Sequence, residues 1–214
     1  MTHLFVKICG ISTPVAAEAV VEAGADAIGF VFAPGSPRFV TAEQVLSLTQ
    51  GLASQIETVG VFRNQPIDEV IATARRADVA TVQLHGDESD ADFDRLRAEG
   101  FGTIRAISVE DYRRRSLAGE LRADERLLID AVTPGAGATF DPALLEGTAL
   151  PESWVLAGGL TTDNVAELVR TLQPGGVDVS SGVEASRGVK DLARIRDFVA
   201  AARAVHDASE INPK

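Results

Sequence analysis

The sequence predicts a (β/α)8 barrel, in which eight parallel strands alternate with eight helices and close into a ring. Eight short runs rich in valine and isoleucine alternate with longer stretches of helical period. The runs are apolar almost throughout, as parallel strands covered on both faces should be. Eight units in 214 residues leave about 27 residues each, close to the ~30 residues of a βαβ module. Together these observations indicate an α/β chain of eight repeated units.

An open, doubly wound sheet is the main alternative architecture. Such sheets more often have about five or six strands and a glycine-rich turn after the first one. The first strand here ends in CGIST, without G-x-G-x-x-G, so the barrel is favoured. No Pro/Ser-rich linker divides the chain. We therefore expect one catalytic barrel domain over residues 1–206 and a frayed tail over 207–214.

Each strand and helix follows from its local pattern. The predicted strands are LFVKI (4–8), DAIGFVF (26–32), ETVGVF (57–62), VATVQLH (79–85), GTIRAIS (102–108), RLLIDA (126–131), SWVLAG (153–158) and GVDVSS (176–181). The predicted helical stretches are 17–25, 41–52, 66–77, 87–100, 109–121, 141–150, 161–172 and 190–205. Residues suited to helix starts are Thr41, Asp87, Thr161 or Thr162, and Lys190-Asp191, whereas Gly24 and Gly100 suit helix ends. After the eighth strand, GVEAS and RGVKD predict a short extra helical turn.

Composition excludes several classes of function. A net charge of −11 and a pI near 4.7 argue against nucleic acid or an anionic membrane as a partner. One cysteine allows no internal disulfide and fits a cytoplasmic protein. No apolar run approaches the ~18 residues of a membrane span. The three histidines are far apart in sequence, so we expect no metal site.

Polar residues gather at the ends of several predicted strands. In a barrel, these ends meet at one rim, where the chemistry of this fold takes place. Residues at i and i+2 of a strand share a face. Each side chain could have a purely structural role, such as core packing for the cysteine or helix capping for the histidine, but their convergence favours a site. The residues are Lys7 and Cys9, Gln83 and His85, Asp130, and Asp178 and Ser180.

Two glycine-rich turns predict a phosphate site. AGGLTTDN (157–164) and VSSGVEAS (179–186) follow the last two strands, the usual phosphate loops of such barrels. Glycine lets backbone N–H groups approach an oxyanion, which allows an acidic protein to bind phosphate. Arg38, in FAPGSPRFVT, is either a second anion contact over the barrel mouth or a surface arginine.

As an ordered set, these motifs resemble phosphoribosylanthranilate isomerase of tryptophan biosynthesis. The segments are KICGIST, GADAIGFVFAPGSPRFV, VGVFRN, VQLHGDE, LLIDA…GATFD, VLAGGLTTDNV and VDVSSGVEASRGVKD, and the resemblance runs from Val6 to about Ala201. It implies a (β/α)8 barrel that converts N-(5′-phosphoribosyl)anthranilate to 1-(2-carboxyphenylamino)-1-deoxyribulose 5-phosphate by an Amadori rearrangement. It also implies that no metal or organic cofactor takes part.

The resemblance implies a role for each matching residue. Cys9 would be the general base and Asp130 the general acid. Arg38 would face the anthranilate carboxylate, and His85 and Asp178 would line the substrate pocket. The amides around Gly158, Gly159, Ser181 and Gly182 would hold the phosphate.

Two pKa expectations follow from the chemistry of a thiolate base and a carboxylic acid. A free thiol ionises near a pKa of ~8.5, so the thiolate of Cys9 needs support, and we expect Lys7, placed in the substrate site, to supply it. We expect burial, or a neighbouring carboxylate such as Asp178, to raise the pKa of Asp130.

One departure and two alternatives stay open. The loop after strand six reads TPGAGATFDP, with Pro142 where the family has tryptophan, which puts the closed shape of this loop in doubt. One alternative is a barrel that acts on another phosphosugar, but such a barrel would need catalytic residues other than Cys9 at its strand ends. A non-catalytic barrel that only binds a phosphosugar would not need both Cys9 and Asp130. The resemblance allows a monomer or a homodimer.

Overall fold

The computed structural model describes residues 3–52, 55–122, 125–130, 145, 148, 150–151 and 154–211, with side chains through Val205. Eight strands form a closed parallel barrel in sequential order, and β1 pairs with β8. The strands are β1 (Phe5–Cys9), β2 (Ala27–Val31), β3 (Glu57–Phe62), β4 (Thr81–Leu84), β5 (Gly102–Ser108), β6 (Arg126–Asp130), β7 (Trp154–Ala157) and β8 (Gly176–Val179). The predicted (β/α)8 barrel is confirmed.

Helices cover the outside of this barrel. They are α1 (Pro14–Glu22), α2 (Ala42–Thr49), α3 (Ile67–Arg76), α4 (Asp90–Ala98), α5 (Val109–Ala118), α6 (Val165–Leu172) and α7 (Leu192–Ile211). The predicted helix over 141–150 falls almost wholly outside the described residues. The loop that carries Pro142 is outside them as well.

Local capping chemistry determines where several helices begin and end. Thr41 caps α2 as predicted, in a capping box with Gln44. The prediction of Asp87 as a cap is wrong, because Ser89 caps α4. Gly24 and Gly100 follow the ends of α1 and α4 with φ of +76° and +90°, a conformation that costs glycine little.

The core has two layers, one on each face of the sheet. The outer layer, between strands and helices, contains large apolar side chains such as Phe30, Phe62 and Trp154. The inner layer is smaller: it consists of Ala27, Val59, Ile104, Ala106, Leu128, Val155 and Ala157, with Phe5 packed against them. The buried polar side chains of Lys7 and Gln83 share the barrel interior with this inner layer.

A hydrogen-bonded cluster lies inside the barrel at its amino-terminal end. Arg126 Nη1 donates to both Glu57 carboxylate oxygens at 2.9 Å, and the Arg126 guanidinium lies 5.2 Å from the Phe5 ring centroid. Thr81 Oγ1 donates to Glu57 Oε1 at 2.5 Å. All four residues lie at or near the starts of strands, the face of this fold associated with stability rather than catalysis.

The segment after β8 differs from the predicted helical turn. A single 3₁₀ turn (Ser181–Val183) leads into an antiparallel hairpin of β9 (Glu184–Ser186) and β10 (Val189–Lys190), and only then does α7 begin. The backbone of α7 extends to Ile211, past the start of the predicted tail. Among the described residues, no helix is long and apolar enough to cross a membrane.

Candidate functional site

Cys9 lies at the carboxyl end of β1, on the inner face of the barrel. Its side chain follows Phe5 and Lys7 along the same face, and the residue is 7% exposed. β1 pairs Cys9 with Gly29 on β2. A Cβ at Gly29 would lie 2.9 Å from the Cys9 sulfur, so the missing side chain provides the space that the thiol occupies. The strand pairing therefore places a nearly buried thiol at the barrel mouth.

Lys7 lies beneath this thiol and pairs with β8. Its Nζ donates to Asp178 Oδ1 at 2.9 Å, and the lysine is fully buried. Burial alone would lower the pKa of the Lys7 ammonium. Its interactions with Asp178 and with ionised Cys9 outweigh that effect, so the pKa of Lys7 is raised above its usual value. The predicted same-face arrangement of Lys7 and Cys9 thus exists, with Asp178 as the partner of the lysine.

The pKa of the Cys9 thiol depends mainly on burial. Burial raises the pKa of the Cys9 thiol, and the Asp178 carboxylate adds to the rise. Lys7 and Lys190 act in the opposite direction but do not overcome burial. The prediction that Lys7 stabilises the thiolate has the correct sign.

Asp130 and His85 meet at the carboxyl ends of β6 and β4. His85 Nε2 lies 3.5 Å from Asp130 Oδ2, and both side chains keep partial access to solvent, 38% and 26% exposed. Asp178, expected beside Asp130, hydrogen-bonds to Lys7. The structure therefore brings the proposed acid together with the histidine.

A hydrogen-bonded clamp ties the loop that carries His85 to the loop after β3. Glu88 accepts from the backbone N–H of Asn64 at 2.6 Å and from that of Gly86 at 2.8 Å. Asn64 Oδ1 accepts from the backbone N–H of Asp87 at 2.7 Å. These contacts fix the backbone next to His85. Sequence reasoning missed Asn64 and Glu88, although QLHGDE does place a carboxylate three residues after the histidine.

The two glycine-rich loops lie against each other. Gly158 and Gly159 have φ of +90° and +64°. A Cβ at Gly182 would lie 1.8 Å from the carbonyl oxygen of Leu160, so only glycine allows the loop after β8 to contact the loop after β7 this closely. The four predicted phosphate contacts therefore lie in two adjoining turns. Ser181 and Gly182 start the 3₁₀ turn, where the first N–H groups have no partner within the turn.

Arg38 lies over the KICG turn, paired with a carboxylate that sequence reasoning did not identify. Its Nε and Nη2 donate to the two oxygens of Glu184, at 2.5 and 2.9 Å. Lys190 Nζ donates to Glu184 Oε1 at 3.1 Å. Arg38 is 21% exposed, and these hydrogen bonds hold its guanidinium in one position. Glu184 and Lys190 belong to the β9–β10 hairpin.

Gln83 shares the inner face with His85, as predicted from the spacing. It is 2% exposed, and its Oε1 accepts no hydrogen bond from the described residues. An acceptor in such a position is available to a donor inside the barrel. Among the residues that the structure describes, no group of three or more His, Cys, Asp or Glu side chains could hold a metal ion.

Comparison with known proteins identifies the family. The model of the N-(5′-phosphoribosyl)anthranilate isomerase family matches residues 6–201. The chain belongs to this family. The resemblance found in the sequence is thereby confirmed, and the chain is an isomerase of tryptophan biosynthesis.

Individual relatives agree with this family over nearly the whole chain. N-(5′-phosphoribosyl)anthranilate isomerase of Magnetococcus marinus is 44% identical over 213 residues, which cover 95% of this chain and 97% of that one. The crystal structure of the Thermotoga maritima enzyme is 36% identical, with a TM-score of 0.85 over 94% of this chain and 100% of that one.

Two further solved structures describe a ligand and an assembly in the family. One is phosphoribosylanthranilate isomerase in complex with reduced 1-(o-carboxyphenylamino)-1-deoxyribulose 5-phosphate, 33% identical, with a TM-score of 0.81 over 94% of this chain and 100% of that one. The other contains monomers of the dimeric Thermotoga maritima enzyme, 33% identical, with a TM-score of 0.78 over 94% and 99% of the two chains.

Proposed function

We propose that this chain converts N-(5′-phosphoribosyl)anthranilate to 1-(2-carboxyphenylamino)-1-deoxyribulose 5-phosphate, with Asp130 as general acid and Cys9 as general base. The observation that carries the proposal is the position of these two groups. Cys9 is the last residue of β1 and Asp130 the last residue of β6, and both face the inside of the barrel at the same rim. Strands β7 and β8 lie between them. Family membership supports the substrate.

Asp130 serves the first step, the opening of the furanose ring. The carboxylic acid gives its proton to the ring oxygen, the bond from that oxygen to C1′ breaks, and the anilino nitrogen forms a protonated Schiff base with C1′. His85, with Nε2 3.5 Å from the Asp130 carboxylate, is placed to line the pocket at this acid. General acid catalysis of this kind typically contributes ~10²–10⁴-fold to the rate.

Cys9 serves the second step, the removal of the C2′ proton. The thiolate takes this proton and the electron pair neutralises the Schiff base, which gives an enolamine that tautomerises to the ketone. Asp130 has lost one proton and Cys9 has gained one, so solvent exchange between turnovers restores both groups. Lys7 and Lys190 lower the cost of the thiolate, although burial keeps the pKa of the Cys9 thiol above its usual value.

Anion contacts hold the two ends of the substrate. The adjoining turns with Gly158, Gly159, Ser181 and Gly182 would bind the phosphate through backbone N–H groups. Arg38, held over the KICG turn, would face the anthranilate carboxylate. Asp178 lines the pocket as the partner of Lys7.

Several expectations about cofactors, partners and location belong to this proposal. Phosphoribosylanthranilate is the proposed small-molecule partner, with no metal or organic cofactor and no nucleic acid or membrane. A cytoplasmic location and a monomeric or homodimeric state stay predictions. A dimeric relative makes the homodimer a concrete alternative that sedimentation of the purified chain would decide.

Turnover by paired variants tests the acid–base assignment. Cys9→Ser and Asp130→Asn should each lower kcat by ~10²–10⁴-fold, because each removes one proton-transfer group. Asp197→Asn, on the exposed face of α7, is the matched control and should keep normal turnover. A variant with nearly normal kcat would disprove the role of its residue. Wild-type binding of the substrate without turnover would favour a barrel that only binds phosphosugars.

A further inference from the structure

Three charged side chains form a compact cluster above the thiol, which we call the mouth cluster: Arg38, Glu184 and Lys190. Four donors surround the single carboxylate. Arg38 supplies two hydrogen bonds, and Lys190 Nζ and the backbone N–H of Gly188 supply one each, both at 3.1 Å. The Glu184 and Lys190 side chains are nearly inaccessible to solvent, at 4% and 2% exposure. Buried charges of this kind need their partners.

The mouth cluster touches both parts of the proposed site. A Cβ at Gly10, the residue after Cys9, would lie 2.5 Å from Arg38 Cδ, so the arginine stem packs directly on the KICG turn. Lys190 Nζ also donates to the carbonyl oxygen of Ser180 at 2.7 Å, immediately before the 3₁₀ turn. The hairpin therefore joins the Arg38 loop to the loop after β8.

The charges within the mouth cluster do not balance. Two cations, Arg38 and Lys190, surround one carboxylate, that of Glu184. The pKa of Lys190 is lowered by burial, although Glu184 opposes that effect, and the pKa of Glu184 is lowered because its donors outweigh burial. A second carboxylate on Arg38 would leave Lys190 and Glu184 as a neutral pair.

We propose that Glu184 competes with the substrate carboxylate for Arg38, and that Lys190 is the positioning residue for this exchange. Glu184 accepts two hydrogen bonds from the Arg38 guanidinium, and the substrate carboxylate takes its place there. Lys190 makes the exchange possible, because it keeps Glu184 paired after Arg38 has changed partner. The inference rests on the proposed function, in which Arg38 binds the anthranilate carboxylate.

The proposal assigns distinct effects to the two residues. Without Lys190, release of Arg38 would leave the buried Glu184 carboxylate poorly compensated, so a ligand with a carboxylate should bind less tightly. Without the charge of Glu184, Arg38 has no internal competitor, so the same ligand should bind at least as tightly as before. Removal of both charges should cancel the penalty of the lysine variant.

Calorimetric binding of two ligands separates these effects from general damage. The first is reduced 1-(o-carboxyphenylamino)-1-deoxyribulose 5-phosphate, and the second is the same molecule without the carboxyl group. The variants are Lys190→Met, Glu184→Gln and the double variant, with Glu22→Gln as the control. Glu22 belongs to an exposed ion pair with Arg196 on the outer helices. Thermal melting verifies that each variant is folded. If a single variant is unfolded because one buried charge lacks its partner, the double variant, which removes both charges, still allows the test.

We expect Lys190→Met to lower the affinity for the carboxylated ligand at least tenfold and the affinity for the carboxyl-free ligand less than threefold. Glu184→Gln should not weaken the carboxylated ligand, and the double variant should bind it within about threefold of Glu184→Gln. Equal weakening of both ligands by Lys190→Met would overturn the proposal, since the lysine would then act through the phosphate turn. Simple additivity of the two substitutions would overturn it as well.

A separate variant tests the underlying assignment. Arg38→Met should remove the preference for the carboxylated ligand. A preference that survives Arg38→Met would contradict the proposed role of Arg38 and the exchange together. If Arg38→Met removed the preference for the carboxylated ligand but Lys190→Met left it unchanged, Arg38 would still be the carboxylate contact and only the exchange with Glu184 would be contradicted.

Discussion

Gly182→Ala should disable the phosphate site while leaving the acid–base pair intact. An added Cβ would lie 1.8 Å from the Leu160 carbonyl oxygen and 2.9 Å from its carbon, and both are backbone atoms. Contacts of a real Cβ essentially never fall below 3.0 Å, so the two loops must separate by at least about 1.2 Å. A shift of this size exceeds the tolerance of a hydrogen bond between a backbone N–H and a phosphate oxygen.

The size of the effect follows from the bonds lost. A hydrogen bond to a charged group contributes about 1.5–3 kcal/mol, which corresponds to about ten- to 150-fold in binding. We therefore expect Gly182→Ala to lower kcat/KM by at least about tenfold, mainly through KM. Inorganic phosphate should raise the melting temperature of the wild type and fail to do so in the variant.

Steady-state kinetics with phosphoribosylanthranilate, together with thermal melts in phosphate, measure both effects. Gly24→Ala is the control, because Gly24 has a positive φ of +76° with nothing within 4 Å of an added Cβ. It should lose about 1–2 kcal/mol of stability through backbone strain and keep its kcat/KM. If folded Gly182→Ala kept kcat/KM within threefold and retained the phosphate effect, the assignment of the phosphate site to these loops would be wrong.

Three further predictions concern the thiol and the stability of the barrel. Burial raises the pKa of the Cys9 thiol and Lys7 opposes the rise, so kcat/KM should increase as pH rises above neutrality. Lys7→Met should move that increase to still higher pH. If the rate of Cys9 alkylation had the same pH profile in Lys7→Met as in the wild type, this reasoning would be wrong. Gly29→Ala should lower kcat at least about tenfold, since its Cβ would lie 2.9 Å from the sulfur, and normal kcat would show that the thiol has room to move. Arg105→Leu leaves the nearly buried Glu125 carboxylate without its arginine, so it should lower the free energy of unfolding by about 3–5 kcal/mol in urea melts. The double variant Arg105→Leu/Glu125→Leu should recover most of this loss. A single variant as stable as the wild type would refute that estimate.

Much of the barrel could be predicted because its signals are local. An apolar run such as ETVGVF predicts strand β3 with its observed bounds, Glu57–Phe62, since a strand covered on both faces needs apolar side chains throughout. The helix cap at Thr41 is local as well. The wrong cap at Asp87 shows the limit of this reasoning: GDES offers several capping residues, and Ser89 is the one that forms a capping box with Asp92.

The candidate site was partly predictable for a related reason. Strand ends of a parallel barrel converge, so the positions of Cys9, His85 and Asp130 followed once the strands were known. The roles of Glu184 and Lys190 did not follow. Their hairpin has no strong apolar period, and Arg38, the partner of Glu184, lies 146 residues away in sequence.

The sequence by itself determined the barrel, the rim at which polar side chains collect, and the glycines that the close contacts need. These features depend on periodicity and on residue type, which each segment carries locally. Only the tertiary structure decided which charges pair and in which direction the pKa of the Cys9 thiol shifts. Lys7 stabilises a thiolate at Cys9, yet burial outweighs it, and the balance depends on distances and on solvent exclusion that exist only after the ring of strands has closed.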